Sequence, residues 1–282
     1  FQFQFLTYYF FYLLPIISFA AIATWNWRIG WLAVATIVLL VGILPNIFLM
    51  VHRPEDVGLR PFANRESPKK SQNTLNKSLE GTEYSFTRRE ASRTRTFWVL
   101  VVFSIFIYPV QAGVSLHQAP HLIERGISLG VAASAVSSFS FMSALGGLVF
   151  GQFEVKFGAR KSLSFAAALM AIGTVLMVLV ADNLTAFMSA IVFGAGIGGL
   201  MTLLPVAWAD SFGRQYIGAI RGITVPLQTL AQASGPLISG ALYDLTGGYD
   251  AALRLFCVFS LIAMVMALFA VKPEVTINKM FK

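Results

Sequence analysis

"GQFEVKFGARKSL", residues Gly151 to Leu163, sets Lys156, Arg160 and Lys161 close together between two long apolar runs. A short basic connection between apolar segments is the pattern of two membrane helices joined on the side where Lys and Arg are retained. Gly151 and Gly158 read as the residues that permit the bend, because glycine reaches backbone conformations closed to other residues.

The rest of the chain supports a membrane reading. Of its 282 residues 56% are hydrophobic and only 12% charged, with 25 Phe, against roughly 25% charged in an ordinary soluble domain. A bilayer core about 30 Å thick needs about 20 apolar residues of helix. Eight runs qualify: Phe3 to Ala23, Gly30 to Val51, Phe97 to Leu116, Leu129 to Phe153, Ser162 to Ala181, Leu184 to Ala207, Thr224 to Leu242 and Ala251 to Val271. The continuity of "WLAVATIVLLVGILPNIFLM" excludes the alternating ten-residue segments of a barrel. The fold class is therefore all-α, a polytopic helix bundle. A signal peptide alone cannot explain apolar runs that continue to Val271. The chain opens at Phe1, so it reads as a fragment whose amino-terminal part lies upstream.

Charge sets the expected orientation. Connections on one side collect eighteen Lys and Arg and those on the other only Arg28, Arg125 and Arg254, which puts both ends in the cytoplasm. The net charge of +8 is then a topology signal with some attraction to anionic lipid. It is not a nucleic-acid footprint, since the bases are dispersed and no recognition motif accompanies them. The long connection His52 to Thr96 is polar in its middle. At its end, "TRRE" from Thr87 to Glu90 fits a capping box, predicting a short basic surface helix before Phe97.

"GQFEVKFGARKSL" resembles the loop signature of the major facilitator superfamily of secondary transporters. Gly151, Lys156, Gly158, Arg160 and Lys161 match in register, and Val155 stands where the family usually places Asp. Glu154 is adjacent, but one helical residue is about 100° of rotation. "HRPEDVGLRP" (His52 to Pro61), "HQAPHLIERGIS" (His117 to Ser128), "ADSFGRQYIGAIRG" (Ala209 to Gly222) and "GPLISGALYDLTGGYDAALRLF" (Gly235 to Phe256) look like monocarboxylate-transporter-like members of that group. The resemblance implies a twelve-helix fold of which this chain holds the fifth to twelfth helices. Residues 1–51 would be the last two helices of the N-terminal bundle, 52–96 the cytoplasmic central loop, and 97–282 the six-helix C-terminal bundle.

The same resemblance implies a multi-pass protein of the plasma membrane, or of the inner membrane in a bacterium. It would be a secondary active transporter moving a small solute, an organic anion such as a monocarboxylate, by alternating access. A transport-inactive sensor on the same fold is the alternative, suited by Val155 and by spans without deep charges. By the same resemblance the Phe97 and Leu184 spans line the central path.

Polar residues in the Phe97 span, Ser104, Tyr108, Gln111 and Ser115, share one helical face, and Thr224, Gln228 and Gln232 form a second stripe. Buried amides facing lipid would cost several kcal/mol, so both stripes should face inward, as cavity wall or as bonds between helices. Thr202 is a weaker candidate from the Leu184 span. His117 and His121 near the outer mouth read as hydrogen-bonding interfacial residues or as groups that could couple a proton, and Asp244 and Arg254 as solvated loop charges or as a pair across the outer loop.

Other chemistry is not expected. Cys257 is the only cysteine, so no Cys-based metal cluster can form. "GAGIGG", Gly194 to Gly199, has the spacing of a dinucleotide-binding loop but lies inside a span without a preceding strand. Its glycines read instead as helix packing, with Gly194 and Gly198 four apart. No cofactor is expected, and no paired His and carboxylate set inside the spans suggests an enzyme.

Overall fold

The computed structural model describes residues 26–44, 47 and 85–273. The first expected span, the middle of the long connection with "HRPEDVGLRP", and the last tail lysines lie outside the described residues. By contacts the chain divides after Glu83, and the two parts are described separately.

In the first part, helix α1 (Trp27–Ile37) starts where Asn26 Oδ1 accepts from the Ile29 N–H at 3.1 Å. It runs into a π-helical turn, Val38–Ile43. Apolar Trp27, Trp31 and Leu32 are exposed on it, as on a helix made for an apolar surrounding.

In the second part Thr87 caps a four-residue helix, α2 (Arg88–Ala91). Thr87 Oγ1 accepts from the Glu90 N–H and Glu90 Oε2 accepts from the Thr87 N–H, the reciprocal pair expected from "TRRE". Six long helices follow: α3 (Arg95–Glu124), α4 (Leu129–Phe157), α5 (Ala159–Val178), α6 (Asn183–Phe212), α7 (Ile217–Thr246) and α8 (Asp250–Leu268). Thr94, Ser128 and Asp182 cap α3, α4 and α6 with side-chain oxygens. Five of the six are long and apolar enough to cross a membrane. Helix α7 has the length, at 30 residues, but Thr224, Gln228, Thr229, Gln232, Ser234 and Ser239 make it the least apolar.

The packing order is α7, α3, α8, α5, α6, α4. Treating α3–α5 and α6–α8 as two triplets, exchanging them reproduces the strong contacts: α4 on α6 answers α7 on α3, α5 on α6 answers α8 on α3, and α5 on α8 maps onto itself. An odd number of spans per triplet inverts the second relative to the first, the internal repeat of secondary transporters. The positive-φ glycines repeat too. Gly126 and Gly213 follow the first helix of each triplet, Gly158 and Gly247 the second.

The helix pairs touch through glycine, as expected where lipid supplies no hydrophobic force and close van der Waals approach must hold helices together. A Cβ on Gly198 would lie 2.0 Å from the Ser143 carbonyl of α4, and one on Gly235 would lie 2.2 Å from the Pro109 carbonyl of α3. The "GAGIGG" run is thus a packing surface. At the basic end Trp208, Phe97 and Phe212 form an aromatic cluster. Phe86 joins it, donating its N–H to the Phe212 carbonyl at 2.9 Å.

One expectation about the opening stretch changes. Helix α4 does not stop at Gly151 but continues to Phe157, and the bend is made by Gly158 alone, at φ +81°. Gly151 sits mid-helix because no proline or positive φ interrupts the hydrogen-bond ladder there.

Candidate functional site

Helices α3 and α7 place the two polar stripes face to face. Ser104 is buried, donates its Oγ to the Leu100 carbonyl at 2.7 Å and accepts from Gln228 Nε2 at 3.3 Å. Two turns further along α3 and one along α7, Gln232 Nε2 donates to Gln111 Oε1 at 2.9 Å. Two residues of each stripe therefore pair across the α3–α7 seam. The gap lined by Val101, Ser104, Ile105, Thr224, Leu227 and Gln228 has no room for a water molecule.

The other path candidates divide. Tyr108 is half-buried against the core beside the seam. Ser115 and Thr224 each bury a hydroxyl with no hydrogen-bond partner. Thr202 lies on α6, its hydroxyl against Gly147 of α4.

Two residues missed in the sequence extend them. Gln118 is 1% exposed and neither its amide nitrogen nor its oxygen has a partner. Its spacing of three from Ser115 was the available signal. Arg221, three before Thr224 on the same side of α7 and half-buried, continues the second stripe toward the basic end. In the sequence it is one of the bases counted in the connections of the basic side.

The histidines stand at the opposite end. His117 Nδ1 donates to the Gly113 carbonyl at 3.0 Å, and its ring lies 5.1 Å from that of Tyr249. His121 is 1% exposed; its Nε2 donates to the Met177 carbonyl at 2.9 Å, leaving Nδ1 buried without a partner. Carbonyls only accept, so these bonds set the protonated nitrogen in each ring. His121 also borders an open cavity of about 440 Å³ lined by Glu124, Arg125, Gly247, Tyr249, Asp250 and Arg254, among others. Burial raises the Tyr249 phenol above its ordinary pKa, helped by Tyr243, Glu124 and Asp244.

Among the described residues the outer end holds one ion pair. Arg125, not Arg254, forms it, and with Asp250, not Asp244, at 2.5 and 2.7 Å. Arg125 terminates α3 while Asp250 starts α8, and these ends meet because α3 packs on α8. The Arg125 guanidinium also donates to the Val178 carbonyl at 3.1 Å, tying in α5.

The basic stretch lies at the other end. Lys156 Nζ sits 5.3 Å from the Phe157 ring centre, Arg160 and Lys161 are exposed in the first turn of α5, and Val155 is 74% exposed. Among the described residues no group of His, Cys, Asp and Glu could hold a metal ion.

Comparison with known proteins agrees with this architecture. The family model described as Major Facilitator Superfamily matches residues 111–280. The chain is 28% identical over 165 residues to the aspyridones efflux protein apdF of Emericella nidulans, covering 58% of this chain and 32% of that protein. It is 26% identical over 185 residues to monocarboxylate transporter 12 of Homo sapiens, covering 64% of this chain and 34% of that protein. The chain thus spans about a third of the length of these curated relatives. In fold it is similar to FucP, a Major Facilitator Superfamily transporter crystallised in the outward conformation, with TM-score 0.61 and 13% identity over 87% of this chain and 55% of that one. With a family match over more than half its length and the inverted triplets of its bundle, the chain belongs to the Major Facilitator Superfamily.

Proposed function

We propose that this protein is a secondary active transporter, not an enzyme, and that the α3–α7 seam is one wall of its solute path. The observation that carries the reading is the pairing of Ser104 with Gln228 and of Gln111 with Gln232. Paired amides close the seam when no solute is present, and their N–H and C=O groups can be handed to a polar solute when the seam opens. Such an exchange costs little, because the Gln111, Gln228 and Gln232 groups that leave one another find a new partner in the solute. The whole transporter rocks two bundles about a site near the midplane. The basic end faces the cytoplasm on the charge distribution, and the membrane is the plasma membrane.

The solute is a small organic anion. Relatives named as monocarboxylate transporters support that class, and Arg221 supplies a half-buried cation on the α7 stripe. The coupled ion is a proton, with His117 and His121 at the outer end as the groups that exchange it. Uptake of a panel of labelled monocarboxylates into vesicles containing the full-length protein, with and without an imposed proton gradient, tests the reading. Gradient-driven uptake that falls in Gln111→Ala supports it. Uptake unchanged in Gln111→Ala removes the seam from the path, and no uptake of any anion favours the sensor alternative.

A further inference from the structure

At the basic end of the bundle four pieces of chain enclose a cavity of about 480 Å³, within the roughly 300–1,000 Å³ range of small-ligand sites. Its polar wall carries Arg160 and Lys161 from α5, Lys272 from the segment after α8, and one carboxylate, Asp210, from α6. Its apolar wall includes Phe157, Leu163 and Val271. Among the described residues none of the three cations forms an ion pair. The wall is held in shape, since Thr96 Oγ1 donates to the Val271 carbonyl and the Arg95 guanidinium stacks over Phe269 at 5.8 Å.

The charges are on the wrong side for the helix. Arg160 and Lys161 occupy the first turn of α5, where the helix dipole is positive, with no acid in that turn and no side chain on Gly158 to accept from the backbone N–H groups. An anion in the cavity would relieve the repulsion and accept from both cations and backbone. We propose that this cavity binds the phosphate of an anionic phospholipid, with the acyl chains on the apolar wall. A free phosphate ester shares the headgroup chemistry but makes no use of that wall. The cavity opens where the helices of the bundle end, the level at which headgroups lie.

The test is native mass spectrometry of the full-length protein titrated with phosphatidylglycerol or phosphatidylcholine. Native protein is expected to retain phosphatidylglycerol about tenfold better, and R160Q/K161Q/K272Q to lose that preference. R88Q/R89Q, which removes exposed bases outside the cavity, is expected to keep it. K272Q alone lies outside the helices and guards against a folding defect, with an expected reduction of about two- to threefold, one cation's share of a tenfold preference set by three. Equal retention of the two lipids by native protein overturns the proposal, as does an unchanged preference in both cavity variants. Loss of preference in R88Q/R89Q equal to that of the triple variant overturns it too. Displacement of the lipid by millimolar glycerol phosphate shows a soluble phosphate ester as the ligand and overturns the lipid assignment.

Discussion

Gln232 of α7 donates its amide to the Gln111 carbonyl oxygen of α3 across 2.9 Å, and that bond joins the middle of two helices that also touch at Gly235 and Pro109. Amide and glycine act together, since the backbones must approach closely for the side chains to reach.

Breaking this bond on one side should cost more than half of removing it. Gln232→Leu leaves the Gln111 amide without its partner and is expected to destabilise the bundle by about 1–2 kcal/mol. The Gln111→Leu, Gln232→Leu double variant should cost less than the sum of the singles. Thermal unfolding in detergent over the full double-mutant cycle measures the difference; additive losses would show that the amides do not interact.

The α4–α6 contact should be intolerant of any side chain at Gly198. A Cβ there meets the Ser143 carbonyl at 2.0 Å and the Gly147 nitrogen at 2.6 Å, so Gly198→Ala should cost about 1–3 kcal/mol through overpacking. Gly240→Ala, on α7 with nothing within 4 Å, should be neutral or slightly stabilising. Melting temperatures of the two variants side by side check this, and equal shifts would refute it.

The outer tie should be asymmetric. The Arg125–Asp250 pair is about a third exposed or more on both sides, so Asp250→Asn should cost no more than about 1 kcal/mol and be masked by salt. Arg125→Gln also frees the Val178 carbonyl and should cost more, with a remainder that salt does not remove. Stability at low and high ionic strength separates the two contributions.

The start of α6 should loosen in acid. Asp182 caps it, accepting from the Thr185 N–H at 2.8 Å, and that bond, then the Thr185 hydroxyl, holds its carboxyl below the usual carboxylate range. A lowered folded pKa contributes stability that is present above the unfolded value and is lost as pH falls through the folded one. Amide exchange at residues 183–186 should therefore rise as pH drops below the ordinary carboxylate range, after correction for intrinsic rates. In Asp182→Asn that acid-dependent rise should be absent.

The segment before α3 should depend on its capping box. Thr87→Ala removes one of the two reciprocal bonds with Glu90, a loss of about 1 kcal/mol for the local turn. Hydrogen exchange at residues 88–92 should increase while α5 and α6 are unchanged.

Much of the fold was legible because its signals are local. The runs from Leu129, Ser162 and Ala251 became helices within four residues of the expected limits, and those from Phe97 and Leu184 started as expected but ran on eight and five residues further, since length and hydropathy locate a span better than its ends. Thr87 and Glu90 formed their box because both partners lie within one turn. Gly151 misled, since a glycine in a helix costs little and does not end it. The outer ion pair was not legible, for a different reason. Arg125 and Asp250 are 125 residues apart, and nothing in their neighbourhoods says that the end of α3 meets the start of α8.

The sequence by itself determined that the chain is a helical membrane bundle, which end is basic, and which faces of α3 and α7 are polar. Each is a matter of spacing along one segment. Only the tertiary structure decided that those two faces meet, that Thr202 turns to α4 instead, and that Arg160, Lys161 and Lys272 surround one cavity. These depend on which helices are neighbours, and in a bundle held by close glycine contacts that is decided by shape between segments distant in the chain.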